Sequence, residues 1–600
     1  MKPIRDAVIR LAGHSQDGIQ TVGELLARLS GRSAQQVMSY MTIPATISGG
    51  PSIYQVRIGS DEVFSAGDEA DVLVAFYQHS YEEHLPFLRR GGLLLYDSDQ
   101  VNPNVEDKRY TYVGVPMTSL TIEAIGGKGH DKGKDMFLLG VIARMFDLDI
   151  GKLEAMLREW GARKPADVLK MALDGLHAGY AYDIGRIGEG FRFIPNERRT
   201  GRAQVVMSGN QATAYGLIAA GVRFGAGYPI TPSSQIMEIL RAELPKYGGV
   251  FLQAEDELAA ISAALGASYG GRVAVCGTSG PGLTLKSEAL GWAVMAEVPL
   301  VIVDVQRGGP STGLPTKTEQ SDLNLAVFGS HGDAPRIVLA AQDVEDAFYS
   351  AIEAVNLARE YSCPVILLTD QAIGFRVEAF DEPELEKLVQ ELTLDLSQRP
   401  AGFKPYADTP DGITHHAPPG APIADMNFPI LSGLEHDEYG HPGEEPRFHT
   451  MMVAKRRRKL QTLAARLPAP SVYGPGSGDV LLVGWGSTYG PIREAVDKAR
   501  EAGESFSSLH IRYLNPLPPG VEKILRGFRH IFVVENNDSG LYGYGQFAGL
   551  LRARYGDPRI RGINKTDGIA FKVREILDGV RALLNNPSGV SPAPPLSDVP

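Results

Sequence analysis

The sequence predicts an α/β protein of several domains, and three observations support that prediction. The chain has 600 residues, which is more than one hydrophobic core usually organises, so about three or four domains of about 150 residues each are expected. Short apolar runs typical of buried parallel strands alternate with helical patterns along most of the chain. Polar loops that contain glycine follow several of these runs, as loops do where the strands of a parallel sheet end.

Composition narrows the class of protein further. The net charge of −12 and the pI near 5.6 argue against nucleic acid or an anionic membrane as the main partner. The chain has two cysteines, Cys276 and Cys363, so it cannot supply the four thiolates that an iron–sulfur cluster generally needs. There is no signal-like N-terminus and no apolar run near the roughly 20 residues of a membrane helix. We therefore expect a soluble protein of the reducing cytoplasm.

Residues 1–195 predict a self-contained domain that resembles a nucleotide-binding unit. Its strands are expected at Ala7–Ala12, Ile53–Ile58, Val72–Phe76 and Gly92–Tyr96. The loop HSQDGIQTVG follows the first strand and opens a helix, which is the position of a dinucleotide fingerprint. Its glycines are too widely spaced and Asp17 would oppose a phosphate, so an interface remnant is favoured over a nucleotide site.

Residues 200–395 repeat the alternation of strand, loop and helix, which predicts a parallel sheet with helices on both faces. The stretch GNQATAYGLIAAGVRFGAGYPITPSS predicts a helix at Ala212–Ala220 with Asn210 as its N-cap. A strand at Val222–Ala226 follows, and Pro232 is expected to begin the next helix.

Four polar loops of this segment should meet at one edge of the sheet, because each follows a predicted strand and ligands bind at that edge. The loops are YPITPSS, QAEDELAA, GTSGPG and QRGGPSTG. The candidate site residues that they supply are Thr231, Glu255 or Glu257, Thr278 with Ser279, and Arg307 with Thr312.

The remaining chain divides into three parts. Residues 396–452 are rich in Pro, Gly and His and predict an irregular connector or surface excursion. Residues 453–590 predict a further α/β domain, and residues 591–600 a tail. The basic run Lys455–Lys459 has helical spacing in an acidic protein, so a solvated helix face is expected rather than a nucleic-acid patch.

The longest motifs together resemble a known family. GNQATAYG, YPITPSSQIMEIL, EDELAAISAALGASYGG, GTSGPGLTLKSEALG and QRGGPSTGLPTKTEQSDL are similar to the α subunit of the 2-oxoacid:ferredoxin oxidoreductases, of the 2-oxoglutarate type. RLAGHSQDGIQTVG and TISGGPSIYQVRI resemble the γ domain of that family, fused at the N-terminus. DVLLVGWGSTYGPIREAV with HIFVVENN resembles a transketolase C-terminal-like domain. The resemblance implies a γ-type Rossmann-like domain, a doubly wound domain that binds the pyrimidine of thiamine diphosphate, and the C-terminal-like domain.

The resemblance also implies roles for the candidate residues. Glu257, nine residues before Gly266, would be the carboxylate that activates the aminopyrimidine of thiamine diphosphate, with Glu255 as the alternative. Arg307 would bind the substrate carboxylate, and Thr231 would lie between cofactor and substrate. The other implied contacts are Thr312 to the substrate and Ile230 and Thr278 to the cofactor. A loop around Ile47–Tyr54 would close over the pocket.

What the chain lacks implies a partner. The family's diphosphate and magnesium site carries GDG followed by NN, and no GDG precedes Asn536 and Asn537 here. A β subunit would therefore supply the diphosphate site, the magnesium and a 4Fe-4S cluster, in an (αβ)2 assembly that uses ferredoxin and coenzyme A. Three alternatives stay open: the same chemistry on pyruvate or a branched-chain 2-oxoacid, a non-catalytic scaffold or regulatory subunit, and an NAD-dependent dehydrogenase built on the first domain.

Overall fold

The computed structural model describes residues 1–42, 50–126, 133–162, 164–183, 185, 190–389, 397–423 and 430–586. These residues form two compact units. The first unit holds Met1–Met207 and the short segment Arg376–Glu382. The second holds Ser208–Phe375 and the described residues that follow Glu382.

The first unit is built on an eight-stranded mixed sheet with the strand order β7-β6-β5-β2-β4-β3-β16-β9. Strands β2, β5, β6 and β7 are parallel, whereas β4 runs antiparallel to both β2 and β3. The strands of this unit are β1 Lys2–Ile4, β2 Asp6–His14, β3 Gln36–Thr42, β4 Pro51–Gly59, β5 Ala70–Ala75, β6 Leu88–Asp97, β7 Thr111–Val115, β8 Phe191–Phe193, β9 Gln204–Ser208 and β16 Val377–Asp381. Its helices are α1 Ile19–Gly31, α2 Gln78–His84, α3 Met117–Ala124, α4 Lys134–Met145, α5 Ile150–Gly161 and α6 Ala166–Ala181.

The first sheet of the second unit has the order β11-β10-β12-β13-β15-β14-β20 and is parallel except for β20 at one edge. Its strands are β10 Phe224–Gly227, β11 Val250–Gln253, β12 Ala274–Thr278, β13 Leu300–Gln306, β14 Ile337–Ala340, β15 Pro364–Asp370 and β20 Tyr513–Asn515. The helices up to the connector are α7 Gly209–Ala219, α8 Ser234–Glu243, α9 Glu257–Tyr269, α10 Gly280–Leu285, α11 Ser287–Met295, α12 Leu323–Phe328, α13 Val344–Tyr361, α14 Gln371–Gly374 and α15 Leu385–Leu388.

The C-terminal domain of the second unit carries a five-stranded sheet with the order β17-β19-β18-β21-β22. Its strands are β17 Val472–Tyr473, β18 Gly478–Gly484, β19 Phe506–His510, β21 Phe528–Glu535 and β22 Ile560–Asn564. The helices after the connector are α16 Pro446–Arg466, α17 Tyr489–Glu501, α18 Val521–Arg526, α19 Gln546–Tyr555 and α20 Val573–Asn585. The predicted multidomain α/β fold with parallel sheets and covering helices is confirmed.

The helix after β9 starts earlier than predicted. Ser208, not Asn210, is the N-cap of α7, because its hydroxyl accepts the N–H of Gln211 while the Gln211 side chain accepts the N–H of Ser208. Asn210 lies inside the helix, and its side-chain amide donates to the carbonyl of Pro232 at 3.0 Å. Pro232 precedes α8 by two residues, so it lies in the turn before that helix.

Within the second unit, Gln320 joins the loops of the seven-stranded sheet to the C-terminal domain. Its backbone N–H donates to the carbonyl of Asn536 at 2.6 Å, and its side-chain amide donates to the carbonyl of Trp485 at 2.7 Å. Its side-chain oxygen accepts the N–H of Asn536, and its carbonyl accepts the side-chain amide of Asn537. Asn536 and Asn537 therefore form an interdomain clamp with Gln320.

Glu535 fixes the loop that follows the clamp. Its buried carboxylate accepts the backbone N–H groups of Phe547 at 2.8 Å and Ala548 at 2.9 Å, at the start of α19. The side-chain amide of Asn537 donates to the same carboxylate at 2.9 Å. A negative charge at the N-terminus of a helix is favourable, so Glu535 anchors both ends of the loop 536–546.

The basic run in α16 is not a solvated face, contrary to the prediction. Lys455 and Lys459 are fully or almost fully buried, and both donate to the buried carboxylate of Glu297, at 2.5 and 2.7 Å. Arg456 is also buried and donates to Glu435 at 2.9 Å. The run therefore fastens α16 to the turn between α11 and β13 and to Glu435 through paired charges, which is how buried charges are accommodated.

Two parts of the prediction involve residues that the structure leaves undescribed. The tail at 591–600 lies outside the described residues, as does 43–49, which includes the start of the Ile47–Tyr54 loop. Within the predicted connector 396–452, the described residues 397–423 and 430–445 contain isolated bridges but no helix or named strand. The prediction is wrong for 446–452, because these residues form the start of α16. None of the helices in the described part of the chain combines the length and the apolar character needed to cross a membrane.

Candidate active site

The four polar loops lie at the carboxyl ends of neighbouring parallel strands. YPITPSS follows β10, QAEDELAA includes the end of β11, GTSGPG follows β12, and QRGGPSTG follows β13. The strand order β11-β10-β12-β13 makes these four strands neighbours, so the sheet brings the loops to one edge as the sequence predicted.

Glu257 and Thr278 meet around a single glycine. Glu257 is the first residue of α9 and is 7% exposed, whereas Glu255 two residues earlier is exposed. A Cβ on Gly282 would lie 2.1 Å from Thr278 Oγ1, 2.9 Å from Glu257 Cγ and 3.0 Å from Glu257 Oε1. Only glycine at position 282 therefore lets the carboxylate and the hydroxyl come this close to α10.

Lys286 extends this group into the interior. Its ammonium group is completely buried and donates to Thr278 Oγ1 at 3.4 Å, while that hydroxyl can donate to the carbonyl of Ser279 at 3.3 Å. The buried carboxyl group of Asp304 lies in its electrostatic neighbourhood, and the charge of Lys286 partly offsets the rise in the pKa of Asp304 that burial causes.

Arg307 forms the second group of predicted residues. The side chain is 6% exposed, and it donates to the carbonyl of Thr231 at 2.7 Å and to the carbonyl of Thr312 at 3.1 Å. Its Nε is buried and has no hydrogen-bond partner among the described residues. Burial lowers the pKa of Arg307, and the negative charge of Asp322 partly offsets that effect. The guanidinium is thus held by neutral carbonyls and keeps its charge available for an anion.

The loop around Arg307 is folded tightly. Gly308 accepts the N–H of Leu314 at 2.8 Å, and Ser311 and Gly313 both have positive φ. A Cβ on Gly313 would lie 2.0 Å from the carbonyl oxygen of Gly308, so that position requires glycine. This closed turn fixes the carbonyl of Thr312 against the guanidinium.

Ile230, whose predicted role is a cofactor contact, lies in the loop after β10. Its backbone carbonyl accepts a hydrogen bond from the hydroxyl of Ser233.

A cavity of about 1350 Å³ opens beside Arg307. Its walls come from α10, from the loop after β13 and from the loop 538–546 of the C-terminal domain. Arg307, Glu319 and Asp322 place charged side chains on its surface. Glu257, Thr231 and Thr278 are not among the described residues that line it, so the structure groups the predicted site residues into two sets joined by α10.

Three further polar residues of this region were not selected from the sequence. Asp304 is fully buried in β13, and Asp322 and Glu319 follow Arg307 on the cavity wall. A charged residue in an otherwise apolar strand, as in LVIVDVQ, is the signal that could have identified Asp304.

The glycine-containing loop of the first unit does not offer a phosphate site. Asp17 accepts the N–H of His14 at 2.8 Å and the hydroxyl of Tyr77 at 2.9 Å. A Cβ on Gly18 would lie 2.0 Å from the carboxylate of Asp135, and burial raises the pKa of Asp135 to about 6, with Asp17 adding to the rise. Two carboxyl groups therefore occupy the start of α1, where a dinucleotide would place its pyrophosphate.

The sequence matches three family models that together define a class of oxidoreductase. Residues 8–182 match the pyruvate ferredoxin/flavodoxin oxidoreductase model. Residues 215–455 match the thiamine diphosphate-binding model of pyruvate flavodoxin/ferredoxin oxidoreductase, so this segment is a thiamine diphosphate-binding domain. Residues 478–576 match core domain II of pyruvate:ferredoxin oxidoreductase. The domain boundaries given above stay predictions beside these matched ranges.

Similar proteins cover almost the whole chain. The 2-oxoglutarate oxidoreductase subunit KorA of Mycobacterium tuberculosis is 37% identical over 97% of this chain and 92% of its own length. The 2-oxoacid:ferredoxin oxidoreductase 1 subunit alpha of Aeropyrum pernix is 31% identical over 97% and 98%. The structure of 2-oxoglutarate:ferredoxin oxidoreductase from Magnetococcus marinus, with 2-oxoglutarate, coenzyme A and succinyl-CoA bound, has a TM-score of 0.87 and 34% identity, covering 96% of this chain and 99% of that one. The chain belongs to the α subunits of the 2-oxoacid:ferredoxin oxidoreductases.

Proposed function

We propose that the chain is the α subunit of a 2-oxoglutarate:ferredoxin oxidoreductase. The complex converts 2-oxoglutarate and coenzyme A to succinyl-CoA and carbon dioxide and passes the electrons to ferredoxin, or runs in the reverse, reductive direction. The observation that carries the proposal is the nearly full-length similarity, in sequence and in structure, to the Magnetococcus marinus enzyme that binds 2-oxoglutarate, coenzyme A and succinyl-CoA. The KorA relative, of similar extent, supports the same substrate.

The residues at the end of β12 and the start of α9 fit thiamine diphosphate. Glu257 is a nearly buried carboxylate that makes no hydrogen bond within the described part of the chain, and Gly282 keeps the space beside it free of a side chain. Glu257 would hold the proton at N1′ of the aminopyrimidine, which is a general acid–base role. Thr278, Ile230 and Thr231 would line the same ring. When bound, thiamine diphosphate would supply a carbon nucleophile for the 2-oxo group.

Arg307 would bind the substrate through paired, charge-assisted hydrogen bonds to the carboxylate beside the reacting carbonyl. Its position on the cavity wall, with Nε free of a partner among the described residues, supports this role. Thr231 and Thr312 orient the guanidinium through their carbonyls, and Thr312 would contact the substrate through its side chain. Thr231 would then stand between cofactor and substrate.

The partner in this proposal is a β subunit, in an (αβ)2 complex of the cytoplasm. This chain has two cysteines and no GDG motif, so the 4Fe-4S cluster, the magnesium and the diphosphate site are assigned to that subunit. The relatives named as subunit alpha or subunit KorA support a multisubunit enzyme.

The proposal is tested on the chain purified together with its partner subunit. The kcat/KM for 2-oxoglutarate should exceed that for pyruvate and for branched-chain 2-oxoacids, with ferredoxin reduction as the readout. Equal or better turnover of pyruvate would transfer the assignment to that substrate.

The matched variants E257Q and E255Q identify the activating carboxylate. E257Q should lower kcat by roughly 10²- to 10⁴-fold, the usual contribution of a general acid–base group, while E255Q should change it less than about threefold. The opposite pattern would identify Glu255. Full activity of both variants would support a scaffold or regulatory role for the chain.

A further inference from the structure

Two acidic side chains meet beside the cavity. Asp304 is completely buried in β13, and neither of its carboxyl oxygens has an N–H or O–H donor among the described residues. Asp322 reaches the same place from the loop before α12, where one of its oxygens is buried and equally lacks such a donor. The two carboxyl groups are hydrogen-bonding neighbours of each other, and that contact requires a proton between them.

The packing around Asp322 fixes its position. A Cβ on Gly280 would lie 2.7 Å from each carboxyl oxygen of Asp322. The absence of a side chain at Gly280 therefore leaves room for the carboxyl group of Asp322. The backbone N–H of Asp322 donates to the side chain of Gln306 at 3.1 Å, and Gln306 donates in turn to the carbonyl of Thr369. Asp322 is the N-cap residue of α12, yet its carboxyl group makes no capping hydrogen bond. The side chain is thus directed to Asp304 and the cavity instead of to its own helix.

The charges that face the pair come from three elements. Arg307 and Glu319 lie in the loop after β13, and both line the cavity together with Asp322. Lys286 approaches Asp304 from the end of α10. Burial raises the pKa of Asp304 well above its usual range, and Asp322 adds to the rise. Burial likewise raises the pKa of Asp322 to about 7, although the hydrogen bond with Asp304 opposes the rise; Glu319 adds to the effect and Arg307 opposes it.

We propose that Asp304 keeps a proton directed at Asp322 and that Asp322, through its own second proton, acts as a positioning residue for Arg307. With Asp322 protonated, the surface next to the guanidinium is a neutral acid, so the substrate carboxylate is the anion that pairs with Arg307. When Asp322 loses its proton, it accepts the hydrogen bond from Asp304 as a carboxylate, becomes a competing anion on the same wall and repels the substrate carboxylate. The inference rests on the proposed role of Arg307 in binding a 2-oxoacid.

The pair makes substrate binding depend on pH in a defined direction. The carboxylates of 2-oxoglutarate are already ionised above pH 6, so a change of KM between pH 6 and pH 8.5 reports on the protein. KM should rise with pH across this range, because Asp322 loses its proton and becomes charged while Asp304 keeps its own. The turnover number should change much less, since Asp322 acts on binding through Arg307.

Two isosteric variants of the chain, each purified with its partner subunit, give contrasting expectations. D322N places a neutral amide on the cavity wall at every pH, so its KM should stay low and nearly constant up to pH 8.5. D304N keeps an N–H donor for Asp322 and leaves Asp322 free to ionise, so its KM should still rise with pH. The difference in KM between D322N and the wild type at pH 8.5 should be roughly three- to tenfold, as expected for one like charge about 4 Å away at the dielectric constant of water. E288Q, an exposed carboxylate of α11 that does not line this cavity, is the matched control and should keep the wild-type profile.

The outcomes separate this inference from the proposed function. A D322N complex with the wild-type dependence of KM on pH would overturn it, as would equal losses of kcat in both variants at unchanged KM. If the wild-type complex turns over pyruvate instead of 2-oxoglutarate, the assignment of the substrate fails. The same KM profiles measured with pyruvate then test the pair, because Arg307 would bind the carboxylate of either 2-oxoacid.

Discussion

Replacing Gly282 with alanine tests the candidate active site without changing a charge. The new methyl group would lie 2.1 Å from Thr278 Oγ1 and 2.9 Å from Glu257 Cγ. Both atoms belong to side chains held in place, Thr278 by its hydrogen bond with Lys286 and Glu257 by its burial at the start of α9. The substitution therefore moves either the two side chains or α10.

The expected size of the effect follows from these distances. Non-bonded carbon and oxygen atoms stay at least about 3 Å apart, so the hydroxyl or the helix has to move by about 1 Å, at an overpacking cost of about 1–3 kcal/mol. A displacement of about 1 Å in a catalytic group can lower kcat by about 10²-fold, which corresponds to about 2.7 kcal/mol. G282A should therefore lose much more activity than its modest loss of stability explains.

The assay compares G282A with G151A in the complex with the partner subunit. Gly151 lies in the exposed first turn of α5, and a Cβ there would make only an ordinary contact, 3.4 Å from Asp149 Oδ1. Initial rates of ferredoxin reduction with 2-oxoglutarate give kcat, and thermal unfolding of the same samples gives stability. If G282A folds and turns over within about threefold of the wild type, then Glu257 and Thr278 do not work together at this position.

The remaining predictions concern the substrate arginine and two buried carboxylates. R307K keeps a positive charge but loses the two parallel N–H donors of the guanidinium, so KM for 2-oxoglutarate should rise by an amount equivalent to about 1.5–3 kcal/mol. An unchanged KM would exclude Arg307 from substrate binding. E297Q leaves two buried ammonium groups unpaired and should lower the free energy of unfolding by roughly 3–5 kcal/mol in urea titrations, whereas the exposed E445Q should stay within about 0.5 kcal/mol. Burial alone would raise the pKa of Glu297, but Lys459 and Lys455 outweigh it and lower it to about 2. The stability from this ion cluster should thus be complete above about pH 4.5 and be lost as the pH falls towards 2, a loss that E297Q should not show. E535Q removes a carboxylate acceptor from the N–H groups of Phe547 and Ala548 and should lower the free energy of unfolding by about 1–3 kcal/mol. Hydrogen exchange should accelerate in α19 and in the loop 538–546. Protection in these segments equal to that of the wild type would contradict the anchoring role of Glu535.

The sequence was sufficient to predict the arrangement of the sheet that carries the site. Largely apolar runs such as Leu300–Gln306 and Val365–Thr369 have the length and composition of buried parallel strands, and short-range pattern is enough to recognise them. The N-cap of α7 lies two residues before the predicted Asn210 and the helix begins three residues before the predicted Ala212, because Ser208 and Gln211 form the capping pair. That information was local and available in the sequence.

The basic run in α16 could not be assigned correctly from local sequence. Helical spacing shows that Lys455 and Lys459 share a face, but it does not show what covers that face. The covering groups are Glu297, before β13, and Thr414, in the connector, and both are far away along the chain. Burial of charge depends on such distant partners, so composition favoured the wrong answer.

In the candidate site, too, some features could be predicted from local sequence and others depend on residues far apart in the chain. The loops that carry Glu257, Thr278 and Arg307 were selected because they follow strands, and the structure places them at one edge of the sheet. The pairing of Asp304 with Asp322 was missed, because it depends on how the loop after β13 folds back towards β12. The roles of these residues in catalysis stay predictions until the variants are measured.

The clamp between Gln320 and the Asn536–Asn537 pair has a consequence for engineering the enzyme. Gln320 lies two residues before Asp322 and offers four hydrogen-bonding groups to the C-terminal domain, so a foreign C-terminal domain would meet unsatisfied partners next to the substrate arginine. Chimeras that exchange this domain between relatives should keep their substrate affinity only when all three residues are transplanted as one unit. The domain that supplies none of the predicted catalytic groups would thereby limit how freely the substrate pocket can be recombined.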